Sequence, residues 1–126
     1  MIHLDTSVLI DALTGPKRSA PALRHTIERG ERVVISTLVL YEWLRGPRRT
    51  EELTLQEVLF PRGHAIPFGP DEAILAAELY RQVRRGRGRE MDLAVAACTL
   101  RYNAALWTLN PIDFRDVPGL ALFTPA

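Results

Sequence analysis

Met1-Ile-His-Leu-Asp5 runs directly into Thr6-Ser-Val-Leu-Ile10, and the join between the two decides how the whole chain reads. A short apolar run ends in a lone acid, and a segment of helical period begins. This is a strand passing into a helix, with Asp5 at the strand's carboxyl end, the edge at which ligands bind in open α/β sheets. The alternation continues along the chain. Strands are expected at Ile2 to Leu4, Val33 to Ile35, Ala65 to Ile66, Ala105 to Thr108 and Leu120 to Phe123, each short and apolar enough to lie inside a sheet. Helices are expected at Ser7 to Leu13, Ala20 to Arg29, Leu38 to Leu44, Glu51 to Leu59, Asp71 to Arg84 and Met91 to Tyr102. Gly30, Gly46-Pro47, Gly69-Pro70 and Pro118-Gly119 fall between elements as punctuation. Strands alternating with helices make an α/β domain with a mainly parallel sheet.

The chain's 126 residues suit one domain, and 47% hydrophobic with 25% charged residues suits a buried core rather than disorder. Sixteen Lys+Arg against fifteen Asp+Glu leave a net charge of +1, so any polyanionic partner must be met by local clustering. Only Lys17 among the cations is a lysine. The single cysteine, Cys98, excludes an internal disulfide and a cysteine-based zinc site, and fits a reducing cytoplasm. The amino terminus carries no basic segment followed by an apolar stretch, and no run approaches the ~20 apolar residues of a membrane span. A soluble, unsecreted protein is expected. Neither a Gly-x-Gly-x-x-Gly motif nor a phosphate loop is present, and His3, His25 and His64 have no ligand or triad spacing.

Four acids stand apart from the solvent-facing majority. Asp5 closes the first strand; Glu42 lies inside the apolar helix Leu38-Val-Leu-Tyr-Glu-Trp-Leu44; Asp92 opens Met91-Asp-Leu-Ala-Val-Ala-Ala97; Asp113 follows the strand that ends at Thr108. Each has a plain structural reading when taken alone. Asp5 suits a helix cap, Glu42 a pair with Arg45, Asp92 the positive end of a helix dipole and Asp113 a turn. Together they differ, because a parallel sheet delivers its strand ends, and the helices that follow them, to one edge. Converging carboxylates repel unless protons or hard cations neutralise them, and oxygen-only ligation is what Mg²⁺ or Mn²⁺ prefers. The chemistry implied is metal-assisted hydrolysis of a phosphate ester.

Leu4-Asp-Thr-Ser-Val-Leu-Ile10, Ser36-Thr-Leu-Val-Leu-Tyr-Glu-Trp43, Asp92-Leu-Ala-Val-Ala-Ala97 and Thr108-Leu-Asn-Pro-Ile-Asp-Phe114, in that order and over almost the whole chain, resemble the PIN-domain nucleases, above all the VapC-type toxins of toxin-antitoxin pairs. The resemblance implies a single domain over residues 1–126, a three-layer α/β/α sandwich around a mainly parallel five-stranded sheet, and a Mg²⁺-dependent endoribonuclease. It carries Asp5, Glu42, Asp92 and Asp113 over as metal-site acids, with Asp116 a second candidate for the fourth place. Thr6 is implied as the hydroxyl supporting the first acid, and Asn110 as a polar neighbour of the fourth. A small antitoxin is implied as partner, with the helix around Leu38 to Leu44 and the segment Glu51 to Leu59 as candidate surfaces for it or for a homodimer.

The densest charge run, Arg81 to Glu90, suggests a mobile loop through its two glycines, and its basic stretch Arg84-Arg-Gly-Arg-Gly-Arg89 just precedes Asp92. It reads either as a solvated face or as a track for RNA backbone carried by Arg84, Arg85, Arg87 and Arg89. Other readings stay in view: an RNA-processing nuclease without a toxin role, a haloacid-dehalogenase-type phosphatase, and a non-catalytic RNA- or protein-binding module. The phosphatase needs a second acid two residues after the first, where this chain has Ser7.

Overall fold

The computed structural model describes residues 1–126. Ten regular elements follow one another: β1 (Ile2–Leu4), α1 (Thr6–Leu13), α2 (Ala20–Glu28), β2 (Val33–Val34), α3 (Thr37–Arg45), α4 (Thr50–Leu59), α5 (Pro70–Gln82), α6 (Glu90–Arg101), β3 (Ala105–Trp107) and β4 (Ala121–Leu122), with 3-10 turns at Arg62–His64 and Pro111–Phe114. The sheet order is β2-β1-β3-β4 and every pairing is parallel, so all four strands end at the same edge. Helices cover both faces, making three layers. Burial of β1 requires it: Ile2 and Leu4 on one face and His3 on the other are all shielded from solvent. No helix is long and apolar enough to cross a membrane.

The expected fifth strand is reduced to a bridge. Ala65-Ile66 meets the sheet only through Ser36 and Ile66, with Ile66 N–H donating to the Ile35 carbonyl at 2.9 Å and Thr37 N–H to the Ile66 carbonyl at 2.9 Å. Pro67 follows and has no N–H to extend the ladder, and the Phe68 N–H turns to Thr37 Oγ1 at 3.1 Å. The sheet therefore has four strands rather than five, and its edges are β2 and β4. The helices keep their expected places with shifted ends. Pro70 starts α5 from its first position, where a missing N–H costs nothing.

His3 shows how the core handles a polar group. Thr99 Oγ1 donates to the Val95 carbonyl at 3.0 Å, so it must accept from His3 Nδ1, 2.8 Å away. Nδ1 thus carries a proton, and Nε2 is buried without a partner. Burial lowers its pKa to about 4.

Candidate active site

Asp5 occupies the cap position of α1, yet its side chain makes no capping bond. It is turned toward β3 instead. Its Oδ2 accepts from Ser7 Oγ at 2.9 Å and from Thr108 Oγ1 at 2.7 Å. Ser7 Oγ also accepts the Leu109 N–H at 3.1 Å, and Thr108 Oγ1 the Asn110 N–H at 3.0 Å. The two hydroxyls lock the first acid to the end of β3 and orient a carboxylate that is itself buried. Sequence reasoning gave neither hydroxyl this role; the available signal was a hydroxyl side chain at each of two adjacent strand ends.

The resemblance places Thr6 in support of the first acid, but its hydroxyl donates to Glu42 Oε1 at 2.6 Å. The correction follows from helix geometry. Thr6 opens α1, which packs against α3, the helix that carries Glu42. Arg45 does approach Glu42, at 3.7 Å from Oε2, a loose contact at an exposed position. Asn110 lies with Asp5, Glu42 and Asp92 on the wall of one open cleft, placed there by the chain leaving β3.

Asp92 lies in the first turn of α6, and its carboxyl group is pushed up to about 6. Burial is the largest cause; the charges of Asp5, Asp113 and Glu42 follow, and Arg89 opposes them. Three of the acids named from the sequence thus bear on the fourth, Asp92. Asp113, in the Pro111–Phe114 turn, is exposed and not on the cleft wall, although it repels Asp92. No three carboxylates close on one point as a finished ligand set would. The donor set is nonetheless oxygen-only, and negative charge surrounds Asp92, so its chemistry fits a hard divalent cation.

Arg89 departs from the expected basic track. Its Nη1 donates to Asp116 Oδ2 at 2.8 Å, and its Nη2 donates to Asp116 Oδ1 at 2.6 Å and to the Asp113 carbonyl at 2.8 Å. A guanidinium so engaged is a strut between α6 and the turn bearing Asp113. The pairing holds the Asp116 carboxyl below its ordinary range and occupies both of its oxygens. Asp113 is left as the free acid of the two. A Cβ at Gly86 would meet the Tyr80 carbonyl at 2.8 Å, so this loop is seated closely on α5. Arg84, Arg85 and Arg87 remain exposed.

A family model for the PIN domain matches residues 2–120. The chain belongs to the PIN domain family. This PIN domain is 32% identical over 119 residues to Ribonuclease VapC19 of Mycobacterium tuberculosis, covering 93% of this chain and 94% of that protein. Among solved structures it is similar to DNA-bound VapBC from Salmonella typhimurium, with a TM-score of 0.81 at 19% identity, covering 97% of this chain and 96% of that one. It is also similar to a toxin-antitoxin complex from Klebsiella pneumoniae, with a TM-score of 0.75 at 23% identity, covering 100% and 98% of the two chains. At such identities the structural likeness shows the fold.

Proposed function

We propose that this PIN domain is a metal-dependent endoribonuclease and the toxin of a toxin-antitoxin pair. The observation that carries the reading is the acidic cleft, whose wall Asp5, Glu42 and Asp92 share at the carboxyl edge of a parallel sheet. These residues, with Asp113, would hold Mg²⁺ or Mn²⁺. Such an ion activates water and stabilises charge on the phosphoryl group. The chain's own hydroxyls do the positioning: Ser7 and Thr108 orient Asp5, and Thr6 orients Glu42. The ribonuclease relative from Mycobacterium tuberculosis supports RNA as substrate, and the toxin-antitoxin likeness supports a protein partner. Exposed apolar side chains on α3 (Tyr41, Leu44) and α4 (Leu53, Val58) suit a surface for that partner or for a second copy. Ser7 on Asp5, where a phosphatase would need its second acid, weighs against the haloacid-dehalogenase reading.

End-labelled total RNA is expected to be cut by the wild-type chain in Mg²⁺, but neither in EDTA nor by Asp5→Asn. Expression of the chain alone is expected to arrest growth, with relief by Asp5→Asn or by co-expression of the partner gene. Cleavage that persists in EDTA would refute the metal, and equal arrest by Asp5→Asn would detach toxicity from the cleft.

Arg84, Arg85 and Arg87 supply the backbone track in this reading. Replacing all three by Ala should weaken RNA binding for every sequence and flatten its salt dependence, by up to ~0.7 for each phosphate that is no longer neutralised. Parallel salt slopes for the two proteins would reduce the run to a solvated face.

A further inference from the structure

A cleft that cuts a polyanion needs a cation beside its acids, since Asp5, Glu42 and Asp92 alone repel the strand they are to hold. Among the residues lining this cleft, Arg45 is the one cation. Two other nearby arginines are committed: Arg48 stacks 4.2 Å over the Trp43 ring and donates through Nε to the Trp43 carbonyl at 2.9 Å, and Arg89 is held by Asp116. Arg49, 3.6 Å from Glu52, does not line the cleft. Arg45 donates no hydrogen bond. Its Nη2 stands 3.7 Å from Glu42 Oε2, and its guanidinium lies 5.6 Å from the centre of the Tyr41 ring. The side chain is 59% exposed.

The helix explains the placement. Arg45 is the last residue of α3, three positions after Glu42, so the two share a face one turn apart. A guanidinium with its donor fork open, one turn from a cleft acid, is built for bidentate contact with phosphate.

Resting on the nuclease reading, we propose that Arg45 is a substrate-binding residue, the cation that holds an RNA phosphate on the Glu42 wall of the cleft. The test is anisotropy of a fluorescein-labelled, mixed-sequence single-stranded RNA in Ca²⁺ and in EDTA, across a salt series, with Mg²⁺-dependent cleavage and melting measured in parallel. Arg45→Ala is expected to weaken RNA binding about tenfold, the usual worth of a hydrogen bond to a charged group, and to raise KM. Its salt slope should be shallower by ~0.7. Arg45→Lys should restore the slope without the full affinity, because it keeps the charge and loses the fork. Arg49→Ala, removing a cation that does not line the cleft, should leave the slope unchanged. An Arg45→Ala protein with wild-type affinity and slope overturns the proposal. So does one in which only the Mg²⁺ melting response changes, for Arg45 is then merely a counterion of Glu42. A wild-type chain that neither binds nor cuts RNA withdraws the nuclease reading itself, a result distinct from both.

Discussion

Asp5→Asn, Glu42→Gln and Asp92→Asn are each expected to lower RNA cleavage by more than the 10- to 100-fold, roughly, that loss of an orienting partner costs. Each change keeps the shape of the side chain and removes its charge, so each protein should still fold. Thr108→Val and Thr6→Val supply the comparison. They leave every carboxylate in place and remove the hydroxyls on Asp5 and Glu42, so their losses should fall within about that 10- to 100-fold range. Asp113→Asn should cost less than the three cleft acids, because Asp113 lies off the cleft wall. Single-turnover cleavage of one labelled RNA ranks all six proteins, and melting curves show that each is folded. A cleft acid whose replacement leaves the rate intact is removed from the site; hydroxyl variants as inactive as the acid variants would make orientation, rather than charge, the governing factor.

Asp92→Asn should also stabilise the metal-free protein, and the pH at which it does so depends on two opposed groups. The Asp92 carboxyl titrates at about 6 when folded against 3.8 when unfolded. Between those values the folded state binds more protons, so Asp92 makes stability fall as pH rises and its full penalty is felt above pH 6. His3 runs the other way. Its pKa is about 4 in the fold against 6.5 outside it, so the unfolded state binds more protons in that window and stability is lost as pH falls through it. For the buried imidazole this is worth about 3 kcal/mol over the window. For Asp92, half open to solvent and screened, about 1 kcal/mol is the appropriate scale.

Urea unfolding in EDTA should therefore show wild type and Asp92→Asn equally stable near pH 4, with the variant ahead by about 1 kcal/mol at pH 7. Mg²⁺ should raise the wild-type melting temperature with concentration, and Asp92→Asn should blunt that rise. A variant no more stable than wild type at pH 7 would show that neither burial nor the neighbouring acids penalise the Asp92 carboxylate in the folded protein.

Much of this was legible in the sequence because it depends on local pattern. An acid at the end of an apolar run, in Leu4-Asp5, and another opening an apolar helix, in Met91-Asp92, mark the edge of a parallel sheet whatever lies between them. What escaped was the choice of partner for each side chain. Thr6, Ser7 and Thr108 are three hydroxyls near two acids, and nothing in their spacing says which donates to which. Packing of α1 against α3 sends Thr6 to Glu42, and the neighbouring end of β3 brings Thr108 to Asp5. The basic run shows the same limit. Six residues from Arg84 to Arg89 look uniform, but only Arg89 comes within reach of Asp116, and that contact turns a candidate RNA ligand into a strut.

The α/β alternation, the order of the elements and the four acids could be read along the chain, because apolar periodicity and isolated charges are properties of neighbouring residues. The number of strands, the donors to Asp5 and Glu42, the pairing of Asp116 with Arg89 and the exposed guanidinium of Arg45 were settled by packing. These depend on distances between segments as far apart as Ser7 and Leu109, or Arg89 and Asp116. Hydrogen bonds and ion pairs act over a few ångströms, and the fold alone sets which groups come that close.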